Sequence, residues 1–585
     1  MFTLIICASN QISAEDFRTA ALTPGTELLR QSDLPTVLSS ADQARYERIF
    51  ALETRGDWHE ADGEIAALQN RLLLGPVLAA RYLSSSYHAS YPELTGWLQT
   101  YADEPDAKVI YKLALHRQPK GAKAPPKPVA ATLDEQVPDE PAANLSPRAV
   151  LVVRQIESLV PTAPRRAEQL LAGPEAQHIL DSGAKANLRA EIAAAFLGNG
   201  EAQEALAAST PAEDGDLTPQ QHWEAGLAAW RLDRLAEART HFEALVRNPG
   251  QSPWLKSEAA VWSARVALRL KQPKLVAYFL RIAAEQPRTF YGLIACRLLG
   301  IDPGLNFEPE PFTALDAHVI SSLESGRRAL ALLEVGERVR AVAELRTLTA
   351  GHNPALLQSL AGIAQHADLA ALSMSAGQLL AQQDGRRHDG AVYPMPRWTP
   401  HGGFTVDRAL LFAVMRQESL FLPDATSAVG AAGLMQLMPA TARDMAAREG
   451  VQLAAAWDEG PDAKSLADPS VNLTLAQEYV RLLLKDDRIK GNLLLFTLAY
   501  NGGPAATQRW DELASSYKRD PLLFLESIPS PEGRLFTKHV LTNYWIYRAR
   551  LGQSTPDLDA LAAGKWPTYI ALDRAGPGQR YAENR

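Results

Sequence analysis

Between about residue 40 and residue 390 the apolar positions recur at three- and four-residue spacing, in stretches rich in Ala and Leu, and few windows alternate. That spacing gathers apolar side chains on one helical face, so the region is expected to be helix after helix. Four segments share a hairpin texture: "LETRGDWHEADGEIAAL" from Leu52, "WRLDRLAEARTHFEAL" from Trp230, "LRLKQPKLVAYFLRIAAE" from Leu268 and "LLEVGERVRAVAELRTL" from Leu332. In each, one helix ends in a charged or Gly-containing turn and a second opens with Ala or a β-branched residue on its buried face. Trp223 and Trp262 stand 39 residues apart in comparable positions, near the period of helix-pair repeats. Such units bury their apolar face only by stacking, which predicts an α-solenoid.

One stretch interrupts the pattern. "RQPKGAKAPPKPVAATLDEQVPDEPAANLSP" (117–147) is Pro/Ala-rich with almost no large apolar side chains, and it reads as a mobile insertion. Prolines and glycines around 388–405 mark a boundary, beyond which short helices alternate with glycine-rich loops through residue 550. The last residues, "AGPGQRYAENR", read as frayed. At the other end, "MFTLIICASNQISAEDF" looks like the back half of a secretory signal peptide over residues 1–14, without the usual basic stretch before it. Export to a compartment outside the cytoplasm is expected. Nothing later approaches the about 20 apolar residues of a membrane span.

Composition narrows the function classes. The 585 residues exceed what one core usually supports. A net charge of −8 and the lack of Lys/Arg clusters argue against nucleic acid as a partner. The two cysteines, Cys7 and Cys296, have no metal-site spacing, and no disulfide is expected. His59-Glu60 lacks the second histidine of a zinc protease. No metal or cofactor is expected.

The chemistry gathers around Glu418. In "TVDRALLFAVMRQESLF" (405–421), read as a helix, Asp407 lies in the first turn, and Leu411, Val414, Met415 and Glu418 share one face. Glu418 then emerges at the rim of an apolar face, where desolvation raises its pKa towards what a general acid needs. The competing reading is a structural glutamate paired with Arg416 or Arg408. "SAVGAAGLMQ" (427–436) follows, with small residues that let backbone approach a ligand, the amide of Gln436, and adaptable apolar surface from Met435 and Met438. "LAYNGGP" (498–504) adds Tyr500 and Asn501 beside a glycine turn. Amides with flat apolar contact suit a polymer of N-acetylated sugars.

Glu418-Ser419, Ser427, Gly433-Leu434-Met435-Gln436 and Ala499-Tyr500-Asn501, in this order and spacing, resemble the soluble lytic transglycosylase family. "FLESIPSPEGR" (524–534) and "RTFYGLIACRLLG" (288–300) do so too. The resemblance is specific over residues 395–550 and architectural over the solenoid. It implies an all-α chain: an α-superhelical domain over 15–305, a helical linker domain over 306–392, a lysozyme-like catalytic domain over 393–555 and a tail over 556–585. It also implies a periplasmic monomer acting on peptidoglycan glycan strands, with Glu418 as the single acid/base and Ser427, Gln436, Tyr500 and Glu532 lining the glycan site. Where the family usually shows Gly-Tyr-Val after Arg534, this chain has Leu535-Phe536-Thr537, so the hydroxyl of a family tyrosine is missing at Phe536.

Most glycosidases use two carboxylates, for which Asp424 and Asp444 would be the local partners. One-carboxyl chemistry is expected instead, with closure of a 1,6-anhydro ring at muramic acid. Two alternatives stay open: a hydrolytic muramidase like the goose-type lysozymes, and a non-catalytic helical-repeat scaffold.

Overall fold

A computed structural model describes residues 34–129, 145–210, 216–351, 353–449, 463–503, 507–517 and 520–573. Among them the chain is all-α, and extended pairing is limited to three isolated bridges. The signal peptide expected at 1–14 and the residues 575–585 lie outside the described residues, as do 130–144 of the Pro-rich stretch. The expected mobility does not extend to residues 117–129. There Arg117 Nη1 donates to Ala89 O, the Tyr91 hydroxyl to Lys123 O, and Val129 N–H to Ala102 O (2.8 Å). The prolines in this stretch fix φ and so stiffen the backbone that these bonds tie down.

All four hairpins are present, and they share one device. The first helix closes on a residue with positive φ: Gly56 (82°), Asp233 (60°), Lys271 (56°) and Gly336 (83°). The next amide then reaches back five residues: Asp57 to Leu52 (3.0 Å), Arg234 to Ala229 (2.8 Å), Gln272 to Ala267 (2.9 Å) and Glu337 to Leu332 (2.8 Å). A left-handed residue at this place lets the orphan carbonyls of the last turn find donors. Charged turns therefore do the work of glycine turns in two of the four. Trp223 and Trp262 are both buried and meet edge to face, ring centroids 6.3 Å apart, as stacked repeats require.

The chain divides into two compact units, residues 1–137 with 306–397, and 138–305 with 398–585. In the first, the stretch 306–392 shares one core with residues near the beginning of the described chain: Tyr46, Ile49 and Phe50 pack in the same cluster as Ile320, Leu330, Leu345 and Leu360. Arg328, itself buried, joins the same segments by donating to Glu344 Oε1 (2.8 Å) and Asp103 Oδ2 (2.9 Å).

The second unit contains Pro219–Arg231 (α1), Pro253–Arg269 (α2), Phe290–Leu299 (α3), Arg408–Glu418 (α4), Pro469–Lys485 (α5), Leu493–Gly502 (α6), Pro521–Glu526 (α7), Pro531–Arg550 (α8) and Pro556–Ala562 (α9). The long helix α8 packs along both α4 and α6. Residues 556–573, within the segment expected as a tail, are folded in. Leu572 and Asp573 N–H groups donate to the buried Asp407 carboxylate (2.8 and 3.1 Å), and Arg408 Nε donates to Asp573 Oδ2 (3.0 Å). Asp407 thus uses its charge to fasten this segment at the start of α4, where Arg548 Nη2 also reaches it (3.2 Å).

Candidate active site

Helix α4 delivers Glu418 as its last residue. Leu411, Val414 and Met415, on the same face, are fully buried, and Glu418 is half-buried at their rim. The helix stops because Leu420 (φ 51°) and Phe421 (φ 63°) both adopt the left-handed region, which is uncommon for large side chains. Buried Phe421 anchors this reversal, and Leu420 is left exposed beside the carboxyl. Such strain next to a polar group is characteristic of functional sites.

Desolvation pushes the Glu418 carboxyl up to about 8, and the nearby negative charge of Glu532 pushes in the same direction. The arginines that a structural salt bridge would have used are engaged elsewhere: Arg408 with Asp573, and Arg416 Nη1 with Asn543 Oδ1 (3.0 Å). Asp424 and Asp444 are both exposed.

The loop after α4 is self-bonded. Ala432 bridges to both Thr426 and Leu437. Ser427 N–H donates to Ala431 O (2.9 Å), and Ser427 Oγ accepts from Ala431 N–H (3.0 Å). Gln436 takes φ 46° and folds its side chain inward, Nε2 donating to Ala425 O (3.0 Å) and Gly433 O (2.9 Å). Both amide hydrogens being spent, Gln436 has its Oε1, an acceptor, to offer a ligand. Met435 corrects an expectation. Its side chain is fully buried and presents no apolar surface, because the loop needs it as a core plug; Met438, 42% exposed, does present one.

A residue that sequence reasoning missed holds this loop. Asn472 of α5 is fully buried, its Oδ1 accepting from Met435 N–H (2.9 Å) and its Nδ2 donating to Ala432 O (3.2 Å) and Leu466 O (3.0 Å). Its signal was an asparagine within the apolar face of "VNLTLAQEYV". Gly433 (φ 79°) completes the fit, since a Cβ there would lie 2.1 Å from Asn472 Nδ2 and from Leu466 O. Asn472→Ala strands three backbone groups, and the expected loss is about 3 kcal/mol of stability by urea denaturation, with reduced activity.

Tyr500 of α6 closes the site from the other side. Its hydroxyl donates to Met435 O (2.8 Å), and its ring lies nearly parallel to Phe536 of α8, 8° between planes and 6.4 Å between centroids. Burial raises the phenol well above its usual value, with Glu418 a further cause. The missing hydroxyl at Phe536 thus leaves a buried aromatic contact in its place. Exposed Asn501 and Glu532 meet at 3.5 Å from Nδ2 to Oε1, the outer limit of a hydrogen bond. Tyr500→Phe removes the bond to the Met435 carbonyl, and about 1 kcal/mol of stability should go with it in a thermal melt. Among the described residues, no group of three or more His, Cys, Asp or Glu could hold a metal ion.

Residues 401–523 match the family model of the Transglycosylase SLT domain. The soluble lytic murein transglycosylase of Salmonella typhimurium strain LT2 is 30% identical over 306 residues, covering 51% of this chain and 44% of that protein. The Escherichia coli K12 protein of the same name is 26% identical over 374 residues, covering 60% and 54%. The chain thus spans about half the length of the curated relatives it matches. The crystal structure of the 70 kDa soluble lytic transglycosylase of Escherichia coli superposes with a TM-score of 0.64 at 18% identity, over 92% of this chain and 100% of that one. An inactive mutant of the Pseudomonas aeruginosa lytic transglycosylase Slt gives 0.55 at 20%, over 89% and 88%. These likenesses bear out the all-α fold read from the sequence.

Proposed function

We propose that this chain, a member of the soluble lytic transglycosylase family through its SLT domain, cleaves the β-1,4 bond between N-acetylmuramic acid and N-acetylglucosamine in peptidoglycan without using water. The observation that carries the reading is Glu418: a carboxyl at the rim of an apolar helix face, held up to about 8 by burial, so that it is protonated near neutral pH.

Protonated Glu418 donates to the glycosidic oxygen. The C1–O bond breaks, the glucosamine leaves with a free 4-hydroxyl, and positive charge develops at the muramic C1. The substrate's acetamido oxygen stabilises that centre, as in substrate-assisted glycosidases. Ionised Glu418 then accepts the proton of the C6 hydroxyl, O6 bonds to C1, and the 1,6-anhydro ring closes with the carboxyl protonated again. Attack from within the same sugar replaces an activated water, and holding both groups in place supplies the entropic advantage. Burial keeps Glu418 protonated and the charge of Glu532 adds to it, while Met438, Gln436 Oε1 and the Ser427 hydroxyl are the groups offered to the glycan. A periplasmic, monomeric enzyme is part of this proposal; separately, among the described residues no helix is long and apolar enough to cross a membrane.

The test is digestion of purified peptidoglycan in water labelled with heavy oxygen, followed by mass spectrometry. Anhydro products one water lighter and free of label are expected. Labelled reducing ends would identify a hydrolytic muramidase, and no cleavage at all would return the scaffold reading.

A further inference from the structure

Helix α8 has two working faces. One carries Glu532, Phe536 and Asn543 towards α4 and the site. The other carries Arg534 and Lys538 into a buried ionic cluster built by helices far away in sequence. Lys538 Nζ donates to Glu258 Oε1 of α2 and to Glu526 Oε2 of α7 (2.9 Å). The Tyr291 hydroxyl of α3 donates to Glu526 Oε1 (2.7 Å). Arg534 Nη1 donates to the carbonyls of Glu526 and Ile528 (3.1 Å each), and its Nη2 to Glu224 Oε1 of α1 (3.4 Å), which also accepts from Gln220 Nε2 (2.8 Å). All five charged residues are buried.

Three carboxyls face two cations, and Glu224 Oε2 has no hydrogen-bond partner. Burial raises both Glu224 and Glu258 above the ordinary carboxyl range, against Arg534 and Lys538, which lower them, and Glu526, which adds to the rise. A buried cluster of this kind stabilises a fold no better than well-packed apolar side chains of the same volume, so stability alone does not account for it. Bonds from Arg534 and Lys538, one turn apart on α8, to carboxyls and carbonyls held by other elements do limit the rotation and register of the helix. Lys538 stands six residues from Glu532, about 9 Å along the axis.

We propose that Lys538 is a positioning residue: gripped by Glu258 and Glu526, it sets the register of α8, and thereby holds Glu532 beside Glu418 under the control of helices α1 to α3. This rests on the reading of Glu418 as the acid/base.

The test uses the full chain with K538M, K538R, E258Q and E532Q, reading kcat, KM and the pH dependence of anhydro-product release, and the titration of Glu418 by carbon-13 NMR. In K538M, kcat should fall about tenfold with KM within about twofold. The Glu418 titration and the basic limb of kcat should both move down by about half a pH unit, as Glu532 drifts from its place. E532Q should move them the same way, and K538R should restore them. A folded K538M with the limb and titration unmoved overturns the proposal. Should K538M fail to fold, isosteric E258Q decides by the same shift or its absence. If the wild-type chain releases no anhydro product, the activity reading has failed. The NMR titration, which needs no substrate, then still tests the positioning.

Discussion

The Glu418→Gln variant should bind peptidoglycan as the wild type does and release product about 10³-fold more slowly. Gln keeps the shape and burial of the side chain, and nothing else in the loop depends on a charge there. It removes the one proton that the scissile oxygen receives. The loss should fall on kcat and leave KM close to wild type, because the carboxyl acts in the transition state rather than in ground-state binding. Sedimentation with cell-wall sacculi measures the binding, and chromatography of released muropeptides measures the rate. Retained turnover would transfer the acid role to another carboxyl, for which exposed Asp424 and Asp444 are poorly suited.

The second large effect is on pH. An acid that works protonated, with a pKa held up to about 8, gives a kcat that is flat through neutrality and falls tenfold per pH unit above about 8. An ordinary carboxyl near 4.5 would have lost most of its acid form already at pH 6. The same shift has a consequence for stability. The folded pKa lies above the unfolded one, so Glu418 adds to stability below about 4.5 relative to high pH, and that contribution is lost as pH rises through about 8. Glu418→Gln should therefore melt at the same temperature as wild type at pH 4 and higher at pH 9, by about 3 °C. Calorimetric scans at the two pH values check the sign.

The apolar spacing was enough to read the helices, with charged or Gly-containing turns marking the hairpins, whereas the left-handed conformation that Asp233 and Lys271 share with Gly56 and Gly336 shows only in the structure. Glu418 was legible from the same spacing: Leu411, Val414 and Met415 fix the face it shares. What the sequence concealed is long-range. Asn472 looks like one polar residue in a helix until Met435 N–H, Ala432 O and Leu466 O converge on it from elsewhere. Met435 looked like offered surface, and nothing local distinguishes it from Met438, three residues on. The sharing of one core by residues 34–77 and 312–380 is likewise a pairing across a long sequence separation. Lys538 and Glu258, 280 residues apart, follow the same rule. Periodicity describes one element's face and is silent about which partner meets it.

The measurement that bears most directly on this account is the titration of the Glu418 side-chain carbon by carbon-13 NMR, assigned by its disappearance in Glu418→Gln. A midpoint near 8 is predicted. A carboxyl that is already ionised at pH 6 would have no proton to give at neutrality, and the single-acid mechanism would be wrong.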